Sequence, residues 1–136
     1  MTYCVGIRLN AGLVFLADTR TNAGVDQVGS CRKLSVFENP GERMLVLMTA
    51  GNLSISQSVR QIVSDHVGAD GISIWNAPSM HVAARIVGEA VRAVHKQEAA
   101  SLGEFGIDFN ISIVLGGQVK GERCRLFYIY AAGNFI

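Results

Sequence analysis

Hydrophobic spacing changes period twice along this chain, and that change restricts the fold more than any other feature. Tyr3 to Leu9 and Leu13 to Asp18 are two β-rich runs separated by Asn10-Ala11-Gly12, a short connection containing glycine, which is a hairpin signature. A polar stretch from Thr19 to Arg32, with Gly24 and Gly29, leads into a short strand at Lys33 to Phe37 that the turn Asn39-Pro40-Gly41-Glu42 ends. Met44 to Met48 is a continuous apolar run bounded by turn signals, which suits a strand buried on both faces better than a helix.

After Thr49-Ala50-Gly51-Asn52 the spacing becomes helical. Ile55, Val59, Ile62 and Val63 recur at intervals of three and four, with Asn52 or Ser54 as cap and Gly68 as the stop. Ala83, Ile86, Val87, Ala90, Val91 and Val94 form one stripe of a second helix, predicted from Ser79 to about Ser101, with Lys96 complementing its C-terminal dipole and Gly103 just beyond it. Period two then returns: Phe109, Ile111, Ile113 and Leu115 alternate with polar residues, and after a Gly-rich turn Arg123, Arg125, Phe127 and Ile129 do the same. Strands, two helices, then strands describe an α+β layered fold rather than alternating βαβ units.

At 136 residues the chain is one domain by size. Ala132-Gly133-Asn134 has the composition of a hairpin turn, and Phe135-Ile136 reads as the start of a returning strand. Either the protein stops abruptly there or it is longer than 136 residues, and the second is the expectation. Apolar residues are 49% and charged residues 17% of the chain, a balance that points to burial against partner chains. Net charge is +1 with scattered basic residues, so neither nucleic acid nor a membrane surface is an expected partner. The opening segment lacks the pattern of a signal peptide and no apolar run approaches a membrane span, which leads to a cytoplasmic expectation. Cys4, Cys31 and Cys124 are far apart with no CxxC pair, so reduced thiols in apolar positions are expected, with no metal or cofactor.

Most motifs of catalysis are missing: no GxSxG elbow, HExxH helix, P-loop or dinucleotide fingerprint occurs. His66, His81 and His95 lack metal-ligand spacing and read as ordinary surface or boundary histidines, and Trp75 and Cys31 as packing residues. Thr2 is different. A small second residue permits removal of Met1, leaving a threonine whose own α-amino group, with a reference pKa of about 7.7 to 8.0, can take the hydroxyl proton. Alone this signal is weak, because threonine follows methionine in many proteins. Asp18 closes the second strand, Lys33 opens the third, and Gly51 lies where a buried strand turns into a helix. The hairpin should bring Asp18 back beside Thr2. Lys33 there would favour the alkoxide and keep the amine neutral by like-charge repulsion, Asp18 would hold the lysine, and the Gly51 N–H would be an oxyanion donor. The plainer reading makes Asp18 and Lys33 a strand-end ion pair and Gly51 a turn glycine.

Thr2-Tyr3-Cys4-Val5-Gly6, the run from Gly12 through Asp18-Thr19-Arg20-Thr21-Asn22-Ala23-Gly24, then Arg32-Lys33 and Thr49-Ala50-Gly51, resemble the proteasome β-subunit pattern in the same order. The segments Tyr3 to Leu9, Asp18 to Asp26 and Tyr130 to Ile136 resemble more closely still the bacterial proteasome-type family called Anbu, the ancestral β-subunit. The resemblance extends over essentially the whole chain. It implies the four-layer αββα sandwich of N-terminal nucleophile hydrolases, a threonine peptidase acting on peptides or proteins, and homo-oligomers in a ring or open spiral. Thr2 is then the nucleophile, Lys33 and Asp18 its activating pair, and the Gly51 N–H part of the oxyanion hole. Thr21, Cys31, Thr49 and Leu53 fall at positions that line the first specificity pocket in β-subunits, implying a small to medium, weakly polar pocket. Asn22 stands where β-subunits commonly carry a threonine that bonds the substrate backbone. With no long propeptide at such a start, exposure of Thr2 would need an aminopeptidase. A further stretch of the family's chain, with a serine and an aspartate that complete the site, does not occur in this sequence.

The sequence also allows three other readings: an amidohydrolase acting on a small amide, a catalytically silent self-assembling scaffold, and a plain α+β binding module. The joint presence of Thr2, Asp18, Lys33 and Gly51 weighs against the scaffold; the same constellation would serve any acyl transfer, so fold alone does not choose a substrate.

Overall fold

A computed structural model describes residues 2–22 and 28–136. Met1 and the segment 23–27, which holds the Ala23-Gly24-Val25-Asp26 part of the sequence pattern, lie outside the described residues. The first hairpin pairs β1 (Cys4–Leu9) with β2 (Gly12–Ala17) from Cys4↔Ala17 to Leu9↔Gly12, so its loop is Asn10-Ala11 and Gly12 already belongs to the strand. Within the stretch read as polar loop, β3 (Arg20–Asn22) and β4 (Val28–Ser30) form a separate two-stranded ladder.

The centre is an antiparallel sheet of β5 (Leu34–Asn39), β6 (Arg43–Gly51), β7 (Ile111–Val119) and β8 (Arg125–Ile129), in that spatial order. Alternation along its strands sends residues to two covered faces. Leu45, Leu47, Ile113 and Leu115 join the main core with α1 (Leu53–Asp65) and α2 (Met80–Glu104). Val46 and Met48 are buried on the other side of β6. There Gly6 of β1 sits against Val114 and Leu126, and the Phe15 ring of β2 lies over Gly116. From Leu45 to Met48 the apolar run of β6 is therefore covered on both faces, as its sequence predicts, while Met44 at its start is exposed. Helices, central sheet and first hairpin stack as successive layers. The hairpin turns Tyr3, Ile7, Leu9, Val14 and Leu16 outward, where all five are exposed.

Asn52 is the cap of α1, accepting from the Ser54 and Ile55 N–H groups at 2.9 and 3.4 Å, so Ser54 lies inside the helix. The helix ends at Asp65, ahead of Gly68, whose N–H instead closes a loop onto the Ile72 carbonyl at 2.8 Å. Two side chains cap α2: Ser79 accepts from Val82 N–H at 3.1 Å, and Glu122 accepts from Met80 N–H at 2.8 Å. This helix runs a turn past the expected end, to Glu104, which puts Gly103 inside it and Lys96 too far back to act on its terminal carbonyls. Gly106, with φ of +67°, supplies the left-handed turn that stops it.

Gly116 and Gly117 are not a turn. They continue β7, because the Phe15 ring occupies the space above Gly116 and the Met44 carbonyl crowds Gly117; the reversal comes at Gly121, with φ of +85°. Beyond β8, Gly133 N–H bonds the Tyr130 carbonyl at 2.8 Å and Ile136 exchanges bonds with Tyr128 at 3.0 and 3.1 Å. Phe135 bridges Ile129, so the chain turns back at Gly133 as its composition predicts. Trp75 packs edge-on against Phe37 with ring centres 5.2 Å apart and donates from Nε1 to the Ser64 carbonyl at 2.9 Å, a packing role as expected. All three histidines are exposed. The three cysteines are free thiols, as expected, at half-buried positions. No helix among the described residues is long and apolar enough to cross a membrane.

Candidate active site

The first hairpin carries the chain's start to the mouth of a small cavity. Cys4 pairs Ala17, and one step beyond the ladder Asp18 N–H bonds the Tyr3 carbonyl at 3.0 Å. Asp18 Oδ1 returns the contact by accepting from Tyr3 N–H at 2.8 Å, and Oδ2 accepts from Arg20 N–H at 3.2 Å. One carboxylate thus ties the residue after Thr2 to the turn leaving β2.

Lys33 follows β4 and is held in the sheet by its own carbonyl, which accepts from Thr49 N–H at 3.0 Å. Its side chain is buried at 8% exposure, with Nζ 2.8 and 2.9 Å from the two Asp18 oxygens. The Lys33 ammonium, followed by the Tyr3 N–H, lowers the Asp18 pKa to about 2. The folded pKa lies below the ordinary carboxylate value of 3.8, so the stabilisation from this pair is present above that value and is lost as pH falls toward 2. Asp18 stays 30% exposed, so water screens the pair and its contribution to stability is modest. Nearby, burial raises the Cys4 thiol pKa, with the Lys33 charge partly opposing it. Cys4 is therefore protonated at neutral pH and, 3.8 Å from the Thr49 carbonyl, serves as packing under the site.

Gly51 closes β6 with φ of +112°, and a Cβ there would lie 2.4 Å from the Asn110 carbonyl oxygen. Only glycine fits this corner, where the strand turns into the Asn52 cap. Thr2, Lys33, Thr49 and Gly51 line one cavity of about 90 Å³ together with Thr21, Asn22, Cys31 and Leu53. Every expected site residue except Asp18 reaches this cavity, and Asp18 reaches it through Lys33. A larger hollow of about 290 Å³ between the end of α1 and α2 holds none of them.

No protein-family model and no curated protein matches the chain. Among solved structures, a Gly-1 mutant of Anbu from Hyphomicrobium sp. strain MC1 is 47% identical, superposes with a TM-score of 0.87 and covers 100% of this chain. The chain belongs to the Anbu family. Anbu from Yersinia bercovieri, described as an ancestral beta-subunit, is 44% identical over 98% of the chain with a TM-score of 0.86. An Anbu complex from Pseudomonas aeruginosa, solved as a helical assembly, is 44% identical over 98% with a TM-score of 0.89. The match takes in 54 to 55% of those proteins, so this chain spans about half the length of the Anbu relatives it matches.

One expectation is corrected by the cavity's remaining wall. Thr21, Cys31, Thr49 and Leu53 alone suggested a weakly polar pocket, but Arg20, Arg32 and Arg60 also line it, with Ser56 and Gln57. The Anbu pocket in this chain is cationic. Arg20 and Arg32 flank residues already singled out, and Leu53, Ser56, Gln57 and Arg60 stand at i, i+3, i+4 and i+7 of α1, a single helix face. Of this wall only the spacing along α1 is visible in the sequence, while the approach of Arg20 and Arg32 to that helix is not.

Proposed function

We propose that this chain carries the nucleophile half of a threonine peptidase that becomes active when Met1 is removed. The observation that supports it best is convergence: Thr2, Lys33 and Gly51 come from three separate segments to one cavity, and Asp18 bonds both Lys33 and the backbone next to Thr2. In this mechanism Thr2 Oγ1 attacks the scissile carbonyl carbon while its proton passes to the terminal amine, directly or through water. Lys33 stabilises the developing alkoxide and holds the amine neutral, Asp18 fixes Lys33, and the Gly51 N–H donates to the oxyanion. The protonated amine then returns its proton to the leaving nitrogen, and water releases the acyl group by the same path. Thr21, Asn22, Cys31, Thr49 and Leu53 contact the substrate from the cavity wall. While Met1 is attached, Thr2 has only a peptide N–H, which cannot accept the proton.

An epoxyketone is expected to label Thr2 in full-length protein lacking Met1, and to label neither Thr2→Ala nor protein that retains Met1. Activity should fall on the acid side along a single limb at or below about pH 8, where the terminal amine gains its proton. Asp18, already ionised above about pH 2, should add no second limb between pH 4 and 7. Labelling that survives Thr2→Ala refutes the assignment. Turnover of small amides without turnover of peptides would favour the amidohydrolase reading, and absence of both would favour the scaffold.

The helices, central sheet and first hairpin make up three layers of the αββα sandwich in this reading, within a single proteasome-type domain of a cytoplasmic protein. The exposed face of Tyr3, Ile7, Leu9, Val14 and Leu16 is where the remaining helical layer belongs. Self-association follows from the relative solved as a helical assembly and from the apolar composition. Heterologous contacts between identical copies give rings or open helices. Full-length protein should therefore sediment as a large homo-oligomer at micromolar concentration, and a stable monomer there would contradict this.

A further inference from the structure

The cavity beside Thr2 has a charge imbalance that nucleophile activation does not use. Arg20, Arg32 and Arg60 line it in addition to Lys33, and no acidic side chain among the described residues does. The nearest carboxylate, Asp18, is committed: both oxygens bond Lys33 Nζ, and they also accept from Tyr3 and Arg20 N–H. Among the described residues, ion pairs join Lys33 to Asp18, Arg85 to Glu89 and Lys120 to Glu42, and none takes in the three arginines.

Arg60 is the most constrained of the three. It is half-buried and stands on the same face of α1 as Leu53 and Gln57. Its Nη1 donates to the Arg32 carbonyl at 2.7 Å, which orients the guanidinium and leaves further N–H donors for a ligand. This one bond also couples the segment between β4 and β5 to the helix, so two of the arginines share a wall. Three arginines and a lysine on the wall of one small space favour an anion there, although water partly screens Arg20 and Arg32, which are exposed.

We propose that this cavity receives the side-chain carboxylate of a substrate aspartate or glutamate, placed beside the bond that Thr2 attacks, with Arg60, Arg32 and Arg20 as the residues that select it. A guanidinium presents parallel donors to a planar carboxylate, and such charge-assisted pairs are about twice as strong as neutral hydrogen bonds. Discrimination follows from what the neutral analogue cannot do. A glutamine has the shape of glutamate but carries no charge to offset the arginines. The inference rests on the peptidase reading for its choice of a peptide as ligand, but it can be tested without turnover.

The test is calorimetric titration of full-length Thr2→Ala protein with acetyl-Ala-Ala-Glu and acetyl-Ala-Ala-Gln. These peptides share a terminal carboxylate and differ only in the side chain. The glutamate peptide is expected to bind roughly 10- to 100-fold more tightly, with the advantage shrinking as salt is raised. Arg60→Gln should abolish most of the preference and Arg60→Lys should keep part of it. Arg20→Gln, at an exposed position whose backbone rather than side chain bonds Asp18, should reduce it even if Arg60→Gln disturbs the fold. Equal affinity, tighter binding of the glutamine peptide, no measurable binding of either, or a preference unchanged in both Arg20→Gln and a folded Arg60→Gln would overturn the proposal. Epoxyketone labelling of the parent protein judges the peptidase reading separately. Labelling without a glutamate preference removes only the anion pocket, whereas a glutamate preference without labelling keeps the pocket and removes the peptidase.

Discussion

Lys33→Ala in full-length, Met1-free protein is expected to lose about 10²- to 10⁴-fold in peptide turnover while remaining folded. Two observations separate these effects. Lys33 Nζ is the charged group shared by the cavity and Asp18, so in the proposed mechanism its loss would remove both alkoxide stabilisation and the repulsion that keeps the terminal amine neutral. Asp18, by contrast, keeps the Tyr3 and Arg20 N–H donors and is 30% exposed, so water can solvate it and no buried charge is left alone. Lys33→Arg should recover little, because the longer, planar guanidinium would chelate Asp18 through its fork and no longer place a compact point charge where Lys33 Nζ stands. Steady-state turnover measured beside a thermal melt decides the matter. A folded Lys33→Ala protein with full activity would eliminate the electrostatic role.

Gly88→Leu should prevent stable folding, and even Gly88→Ala is expected to cost about 1 to 3 kcal/mol, on the order of 10 °C in melting temperature. Two effects compete at this position. An interior helical glycine costs about 0.5 to 1 kcal/mol relative to alanine, so propensity alone predicts stabilisation by Gly88→Ala. Sterics oppose it: a Cβ on Gly88 would lie 2.2 Å from the Gly133 carbonyl oxygen, an atom that also accepts from Arg92 Nη1 at 2.9 Å. The turn cannot easily move away. Gly133 itself has φ of +77° and approaches the Gly88 carbonyl, and its position sets the return of Phe135 onto Ile129. Chemical and thermal unfolding of Gly88→Ala measure the balance directly, and an unchanged or higher melting temperature would mean that the turn yields at no cost.

The elements were legible where one periodicity governed a long enough segment. The stripe from Ala83 to Val94 and the run from Leu45 to Met48 lie where their spacing puts them, buried in α2 and β6, whereas Met44 at the head of that run is exposed. Asp18 could be placed near Thr2 because a hairpin has only one way to return. Glycine was less informative, since the residue is used both to turn the chain and to let another group come close. Gly116 and Gly117 serve the second purpose under Phe15 and Met44, and nothing local distinguishes that from a turn. The ladder of β3 and β4 was missed because three residues on each side are too few to show alternation. The cationic wall was missed because Arg20, Arg32 and Arg60 converge only through tertiary structure.

The pairing of β6 with β7 has a bearing on how the chain comes off the ribosome. This pair joins Gly51 to Ile111 and Arg43 to Val119, with both helices intervening in sequence. At about 5 to 20 residues per second, roughly 3 to 15 seconds pass between synthesis of β6 and arrival of its partner. During that interval β6, whose Leu45, Val46, Leu47 and Met48 end up among the most deeply buried residues, has one open edge. Parallel nascent chains on the same message present the same edge to one another. The order of elements along the gene therefore makes translation speed between β6 and β7 a determinant of yield, independently of how stable the finished fold is.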